Sequence, residues 1–215
     1  MNMPAYKVAS MEINDHELIA EMAKTGKPII ISTGVATLKE IKEAIGVCYK
    51  YKNRNVAILK CTSAYPTPLS EVNLNSIKTL KKFKTIIGIS DHTRSAMVPS
   101  WAVSFGARII EKHFIINKKI KTYDSKFSLD PKEFKLMVDN VRDLEKTKGS
   151  NKIKIFKSMK SSRKLMRSLY FTDNLKKNEI ITRKNLRSIR PNGGLHPKYI
   201  KKILGKKVKK NIKLG

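Results

Sequence analysis

The stretch Thr85-Ile86-Ile87-Gly88-Ile89-Ser90-Asp91-His92-Thr93 opens on an apolar, β-prone run and closes on four polar residues. A segment of helical period follows at residues 95–105, and a second apolar run at 108–113 also closes on a histidine. Strand, helix and strand in that order, with no tight hairpin signal between them, predict a β/α unit with parallel strands. Working outward, the same alternation repeats. Strands are expected at 5–10, 28–32 and 56–61, with helices at 15–25, 38–51 and 74–83, the first capped by Asn14 or Asp15. A further helix is expected over 131–146, with Pro131 in its first turn and Asp130 as its cap. The total is five consecutive β/α units.

Each expected strand ends in polar residues: Ser10 and Glu12, then Ser32 and Thr33, then Thr62, Ser63 and Tyr65, then Ser90 and His92, then His113. Parallel strands bring those ends to one face, where barrels and open α/β sheets both build active sites. His92 and His113 close successive strands, so their imidazoles are expected to converge as ligands of one divalent ion, with positions left for substrate and water. His16 and His196 have no such context and read as surface residues. Lys7 alternates toward a barrel interior, where a cation is costly without an anion. Ser10, Ser32 and Ser90 add hydroxyl groups around such an anion, and Gly34 allows close backbone approach.

Length and composition set the frame. The chain has 215 residues, 40% hydrophobic, enough for one large domain and a small one. No apolar run is long enough to span a membrane and no secretion signal opens the chain, so a cytoplasmic protein is expected. Cys48 and Cys61 are too few for a disulfide framework and read as buried free thiols. The formal charge is +29, and residues 151–215 hold 21 Lys or Arg against two acids. These lysines are scattered through a chain generally rich in Lys, Ile and Asn, without the aromatic platforms of single-strand binders, so a nucleic-acid-binding protein is disfavoured. The positive field favours a small anionic substrate. A Lys- and Ser-rich linker is expected over 149–162, dividing a domain at 1–148 from a small module at 163–215. That module has short runs at 168–171, 179–182 and 186–189 and a short helix at 197–204.

Lys7-Val8-Ala9-Ser10-Met11-Glu12, Ile31-Ser32-Thr33-Gly34, Lys60-Cys61-Thr62-Ser63-Ala64-Tyr65-Pro66, Gly88-Ile89-Ser90-Asp91-His92-Thr93 and Ile110-Glu111-Lys112-His113-Phe114 resemble, in order and spacing, the strand-end motifs of the sialic acid synthase family. Arg167-Ser168-Leu169-Tyr170 and Ser188-Ile189-Arg190-Pro191-Asn192-Gly193-Gly194-Leu195 are similar to the antifreeze-like (SAF) domain that follows the barrel in that family. The resemblance implies a partial TIM (β/α)8 barrel of about five units followed by a SAF domain. It also implies condensation of phosphoenolpyruvate with an N-acetylated amino sugar. Carbon 3 of phosphoenolpyruvate attacks the sugar's aldehyde, water adds at carbon 2 and phosphate leaves.

Carried over residue by residue, the resemblance implies that His92 and His113 hold Mn²⁺ or Mg²⁺. Lys7, Ser10, Ser32, Ser63 and Ser90 would hold phosphoenolpyruvate. Glu12, Tyr65 and Asp124 would face the sugar, with Glu12 and Lys7 as the catalytic candidates and Glu12 moving a proton. Arg190 would reach a partner's site in a homodimer with exchanged SAF domains. The loop Tyr123-Asp124-Ser125-Lys126-Phe127-Ser128-Leu129-Asp130-Pro131 resembles the pseudaminic acid branch; N-acetylneuraminate and legionaminate synthases are the alternatives. The family's first three β/α units, with an acidic catalytic residue and a second phosphoenolpyruvate-binding lysine, have no counterpart here. A fragment or split product is therefore expected, inactive alone, with a separate N-terminal barrel chain as its candidate complement. A non-catalytic sugar-binding or interaction remnant is the reading of another class.

Overall fold

The structure, a computed structural model, describes residues 3–215. It divides into two compact units, Met1–Gly149 and Ser150–Gly215. In the first, five strands, β1 (Tyr6–Val8), β2 (Ile29–Ser32), β3 (Val56–Cys61), β4 (Ile86–Asp91) and β5 (Ile109–Lys112), form one parallel sheet in sequential order. The helices α1 (His16–Lys24), α2 (Leu38–Lys50), α3 (Ser76–Leu80) and α4 (Val98–Phe105) connect them, and α5 (Pro131–Lys148) follows β5. Sequential order without a switch point is the winding of a barrel wall. The curl is read from one contact: Lys7 on β1 and Glu111 on β5, at opposite edges of the sheet, meet at 3.4 Å across its concave face. The sheet is a half-barrel with open edges at β1 and β5.

Alternation decides what each face carries. Val8, Ile29, Ile31, Val56, Ile58, Ile87 and Ile89 face the helices and pack with Ile19, Ala23, Ile41, Ala44, Ile45, Cys48 and Ile77 in one buried core. Burying each aliphatic side chain contributes roughly 1.5–3 kcal/mol, and the Ile-rich strands are also β-prone. Burial pushes the Cys48 thiol up to about 11, as expected of a packing group that stays protonated.

Local chemistry sets the helix ends. Asp15, rather than Asn14, caps α1 by accepting from Leu18 N; Thr37 and Glu40 form a capping box on α2, and Asp130 and Glu133 form one on α5. The helix expected over 74–83 is split: α3 ends at Leu80, and a 3-10 turn, Lys81–Phe83, runs to the left-handed Lys84. The helix expected from Ser95 starts at Val98, because Ser95 Oγ accepts from Met97 N in a side-chain turn first.

In the second unit a 3-10 turn, Lys157–Met159, leads into α6 (Lys160–Lys164), which overlaps the end of the stretch read as linker, and β6 (Ser168–Phe171) pairs antiparallel with β7 (Leu186–Ile189). Leu169, Leu175, Ile181, Leu186 and Val208 form its small core. Residues 179–182 make one isolated bridge, Ile180 with Lys207, rather than a strand, and α7 (Ile200–Ile203) follows a 3-10 turn at Pro197–Tyr199. Gly194 is required by close approach, since a Cβ there would lie 2.6 Å from the Leu169 carbonyl oxygen. Among the described residues no helix is long and apolar enough to cross a membrane.

Candidate functional site

The strand register places Lys7, Ser32, Cys61, Ser90 and Glu111 on the concave face, and His92 and His113 continue that face just past β4 and β5. Four of these groups form one chain of contacts. Lys7 Nζ donates to Ser32 Oγ at 2.8 Å and pairs with Glu111, whose carboxylate accepts from Ser90 Oγ at 2.6 Å. Hydroxyl, ammonium and carboxylate from β1, β2, β4 and β5 thus meet on one surface. Lys7 and Glu111 remain more than a third exposed, so a solute can reach them.

His92 and His113 stand with ring centroids 5.2 Å apart. The His92 Nδ1 lies 3.1 Å from the Thr62 carbonyl oxygen, which can only accept, so Nδ1 carries the proton and Nε2 keeps its lone pair. Burial pushes the pKa of His92 down, against the pull of the Thr62 carbonyl and Asp91. His113 is pushed down by burial as well, with Asp124 opposing the shift. Two neutral imidazoles are in the protonation state a divalent cation requires. The two imidazoles are the nitrogen donors on this face, and among the described residues no group of three or more His, Cys, Asp or Glu is placed to hold a metal.

Register between the histidines is fixed from behind. Asp91 and Lys112, one residue before each, point to the helix side and pair at 2.6 Å with side chains 2% and 0% exposed. Asp91 also accepts from Thr93 N at 2.9 Å and Thr93 Oγ1 at 3.1 Å, while Lys112 donates to the Thr93 carbonyl. Every arm of this buried pair is engaged, which ties β4 to β5 directly beneath the imidazoles.

The loop after β5 folds back on His113. Leu129 N donates to the His113 carbonyl at 2.9 Å, and Ile115 N donates to the Leu129 carbonyl at 2.9 Å. A turn in which Phe127 N and Ser128 N donate to the Asp124 carbonyl then sets Asp124 Oδ2 3.4 Å from His113 Nδ1. The same turn buries Phe127, whose ring centroid is 4.8 Å from that of His113 and 5.4 Å from that of Tyr65. Tyr65 in turn lies 4.2 Å from His92, centroid to centroid. Tyr65, His92, His113, Asp124 and Phe127 therefore form one wall, half aromatic and half polar.

The remaining candidates stand apart from that wall. Ser10 Oγ accepts from Gly34 N at 3.0 Å, so the Gly34 amide is committed within the chain rather than offered to a ligand. Gly34 is still needed, because a Cβ there would lie 2.2 Å from Ser63 Oγ and 2.8 Å from Ser10 Oγ. The Ser63 hydroxyl is buried beside the Tyr65 phenol, with no hydrogen bond of ordinary geometry among the described residues. Glu12 is exposed in a 3-10 turn, Ser10–Glu12, where its carboxylate accepts from Ala9 N at 3.1 Å. Arg190 is exposed in the second unit, just after β7, beside a cavity of about 520 Å³ that Arg167 and His196 also line. His16 and His196 are both exposed. Glu111 and Phe127 were not singled out by sequence. Strict alternation along β5 would have placed Glu111 on the face of His113, whereas Phe127 lies in an aperiodic loop that gives no such signal.

Comparison with known proteins matches this geometry to a family. The NeuB family profile covers residues 1–153, and the SAF domain profile covers residues 167–215. The chain belongs to the NeuB family. It is 45% identical over 212 residues to the pseudaminic acid synthase of Campylobacter jejuni, covering 98% of this chain and 62% of that protein. To the pseudaminic acid synthase of Helicobacter pylori it is 42% identical, covering 99% and 63%. Among solved structures it is similar to the N-acetylneuraminic acid synthetase of Leptospira borgpetersenii, with a TM-score of 0.69 and 33% identity over 75% of this chain and 56% of that one. The chain thus spans about three-fifths of the length of the family members it matches. A five-stranded parallel half-barrel followed along the chain by a SAF domain agrees with both profiles.

Proposed function

We propose that the chain carries the phosphoenolpyruvate, metal and sugar contacts of a pseudaminic acid synthase, which joins phosphoenolpyruvate to an N-acetylated amino sugar. The observation that carries the proposal is the convergence of His92 and His113 with Tyr65 and Asp124 beside the Lys7, Ser32, Ser90 and Glu111 network. The identities to pseudaminic acid synthases support the branch, against 38% to the N,N'-diacetyllegionaminic acid synthase of Campylobacter jejuni.

In this reading Lys7, Ser32 and Ser90 hold the phosphate and carboxylate of phosphoenolpyruvate, with Ser10 and Ser63 at the neighbouring strand ends. Ser63 has a hydroxyl to offer. The incoming anion displaces Glu111 from Lys7, a change made easy by the exposure of that pair. His92 and His113 hold Mn²⁺ or Mg²⁺, and the chemistry that such an ion supplies when bound is polarisation of the sugar's aldehyde oxygen. Asp124 accepts hydrogen bonds from the sugar, Tyr65 packs against it, and Glu12 is the candidate for proton transfer once its turn releases the carboxylate. Arg190 contributes from the SAF domain of a partner in a homodimer. The open edges at β1 and β5 are where a barrel-completing chain would pair.

The test is reconstitution. The 215-residue chain is assayed alone and with the first three β/α units of a related synthase, using phosphoenolpyruvate and the pseudaminic acid precursor. Metal-dependent phosphate release only in the complemented sample is expected. Turnover that prefers N-acetylmannosamine would refute the branch, and robust turnover by the chain alone would refute the need for a complement.

A further inference from the structure

Two lysines stand on the helix side of the sheet near its carboxyl end, and only one has a carboxylate within 4 Å among the described residues. Lys112 on β5 is paired to Asp91 at 2.6 Å. Lys60 on β3 alternates to the same side and is 7% exposed, yet no carboxylate lies within 4 Å of its Nζ among the described residues. Its one side-chain partner is Thr62 Oγ1 at 2.5 Å, a hydroxyl that itself donates to the Glu71 carbonyl at 3.0 Å. An ammonium has three N–H groups, so two are left without a side-chain acceptor. Burying a cation in that condition is costly, and such groups are paired in nearly all folded proteins.

The space beside Lys60 can supply the partner. A cavity of about 360 Å³ opens between the β2–α2 and β3–α3 connections, lined by Lys60, Thr62, Thr33, Gly34, Asn73 and Thr79. That volume equals the liquid share of roughly a dozen waters, enough for a small organic or inorganic anion. The Asn73 carboxamide and Thr79 hydroxyl, both at exposed positions, make no side-chain hydrogen bond among the described residues. The cavity borders the candidate site at Gly34 and Cys61, but no side chain assigned above to phosphoenolpyruvate, metal or sugar lines it among the described residues. Glu71 borders the cavity but is exposed and forms no ion pair.

We propose that this cavity is a second anion site, in which Lys60 binds the phosphate or carboxylate group of a small molecule, with the Asn73 amide and the Thr62 and Thr79 hydroxyls around it. Burial lowers the pKa of Lys60 and outweighs the opposing pull of Cys61 and Asp91, and an anion in the cavity would raise it. The proposal does not depend on the synthase reading.

It is tested by thermal unfolding of the full chain in 10 mM inorganic phosphate or acetate, each against chloride at equal ionic strength. Wild type is expected to gain several degrees in at least one of the two anions, and which one identifies the phosphoryl or the carboxylate group as the ligand. Lys60→Met should lose that gain while being no less stable than wild type in chloride, since an apolar group replaces an unpaired buried cation. Lys7→Ala should keep the gain, which separates this cavity from the candidate phosphoenolpyruvate site. If Lys60→Met does not fold, the exposed pair Asn73→Ala and Thr79→Ala serves instead, with apparent anion affinity expected to fall about tenfold. A gain kept in Lys60→Met, or in the double variant where that one is used, overturns the proposal. So does a gain lost in Lys7→Ala, or no gain with either anion in wild type.

Discussion

The two faces of the five-stranded sheet carry similar chemistry under opposite conditions. On the helix side, Asp91 and Lys112 are buried, mutually paired and fully hydrogen-bonded. On the concave side, Lys7 and Glu111 form an ion pair as well, but at 3.4 Å and more than a third exposed. One step of alternation separates the two regimes: Asp91 from His92, and Lys112 from His113. The first face supplies stability and register. The second has groups that a ligand can recruit, because their present partners are weakly held.

The largest effect is expected on the buried side. Asp91→Asn leaves the Lys112 ammonium without its counter-ion, and breaking a buried pair in this way costs about 3–5 kcal/mol. Denaturant unfolding should show a loss of that order, and Asp91→Asn combined with Lys112→Met should recover much of it. A loss below about 1 kcal/mol in the single variant would mean that the pair does not hold β4 to β5. Metal binding should weaken in step, since His92 and His113 take their positions from this register.

On the concave side the order of effects reverses, with function affected more than stability. His92→Ala or His113→Ala in the reconstituted enzyme should reduce Mn²⁺ affinity more than about a hundredfold, exceeding what loss of an outer-sphere partner costs. Stability should change by less than about 1 kcal/mol in His113→Ala, whose ring is partly exposed, and should fall further in His92→Ala, whose ring is buried. Titration of free Mn²⁺ by electron paramagnetic resonance checks the first, and unchanged affinity in both variants removes the metal assignment. A smaller effect is expected one step further out. Asp124→Ala should raise the apparent Michaelis constant of the sugar about tenfold and that of phosphoenolpyruvate little. An equal rise in both would assign Asp124 to orienting His113.

The strands were legible in the sequence because β-prone, largely apolar runs of three to six residues recur between helical periods, and their polar ends gave Ser32, Ser90, His92 and His113 directly. What alternation alone could not give was partnership. Asp91 and Lys112 are 21 residues apart, and each reads in isolation as an ordinary surface charge. Glu111 was passed over for the same reason, although its neighbour two residues on was chosen. Phe127 and the seating of Asp124 depend on backbone hydrogen bonds that return residues 124–129 to His113, and no periodicity announces them. In the second unit, residues 179–182 have strand composition but only one bridging partner, which composition cannot foresee.

The smallest expected effect sets the two ion pairs against each other directly. Glu111→Gln removes the carboxylate from Lys7 but leaves the Ser90 hydroxyl an amide oxygen to donate to, so the local packing is preserved. Exposed pairs contribute between zero and about 1 kcal/mol, and a double-mutant cycle of Glu111→Gln with Lys7→Met should return a coupling in that range. The same cycle on Asp91 and Lys112 should return several times more, although both are Lys–carboxylate pairs on neighbouring faces of one sheet. The weakness on the concave side is what the proposed chemistry requires, since Lys7 must exchange Glu111 for an incoming phosphate or carboxylate. Glu111→Gln should therefore leave phosphoenolpyruvate binding intact or slightly tighter while barely moving the unfolding midpoint. A coupling above about 2 kcal/mol between Lys7 and Glu111 would mean that the pair is structural and that Lys7 is not free to serve the site.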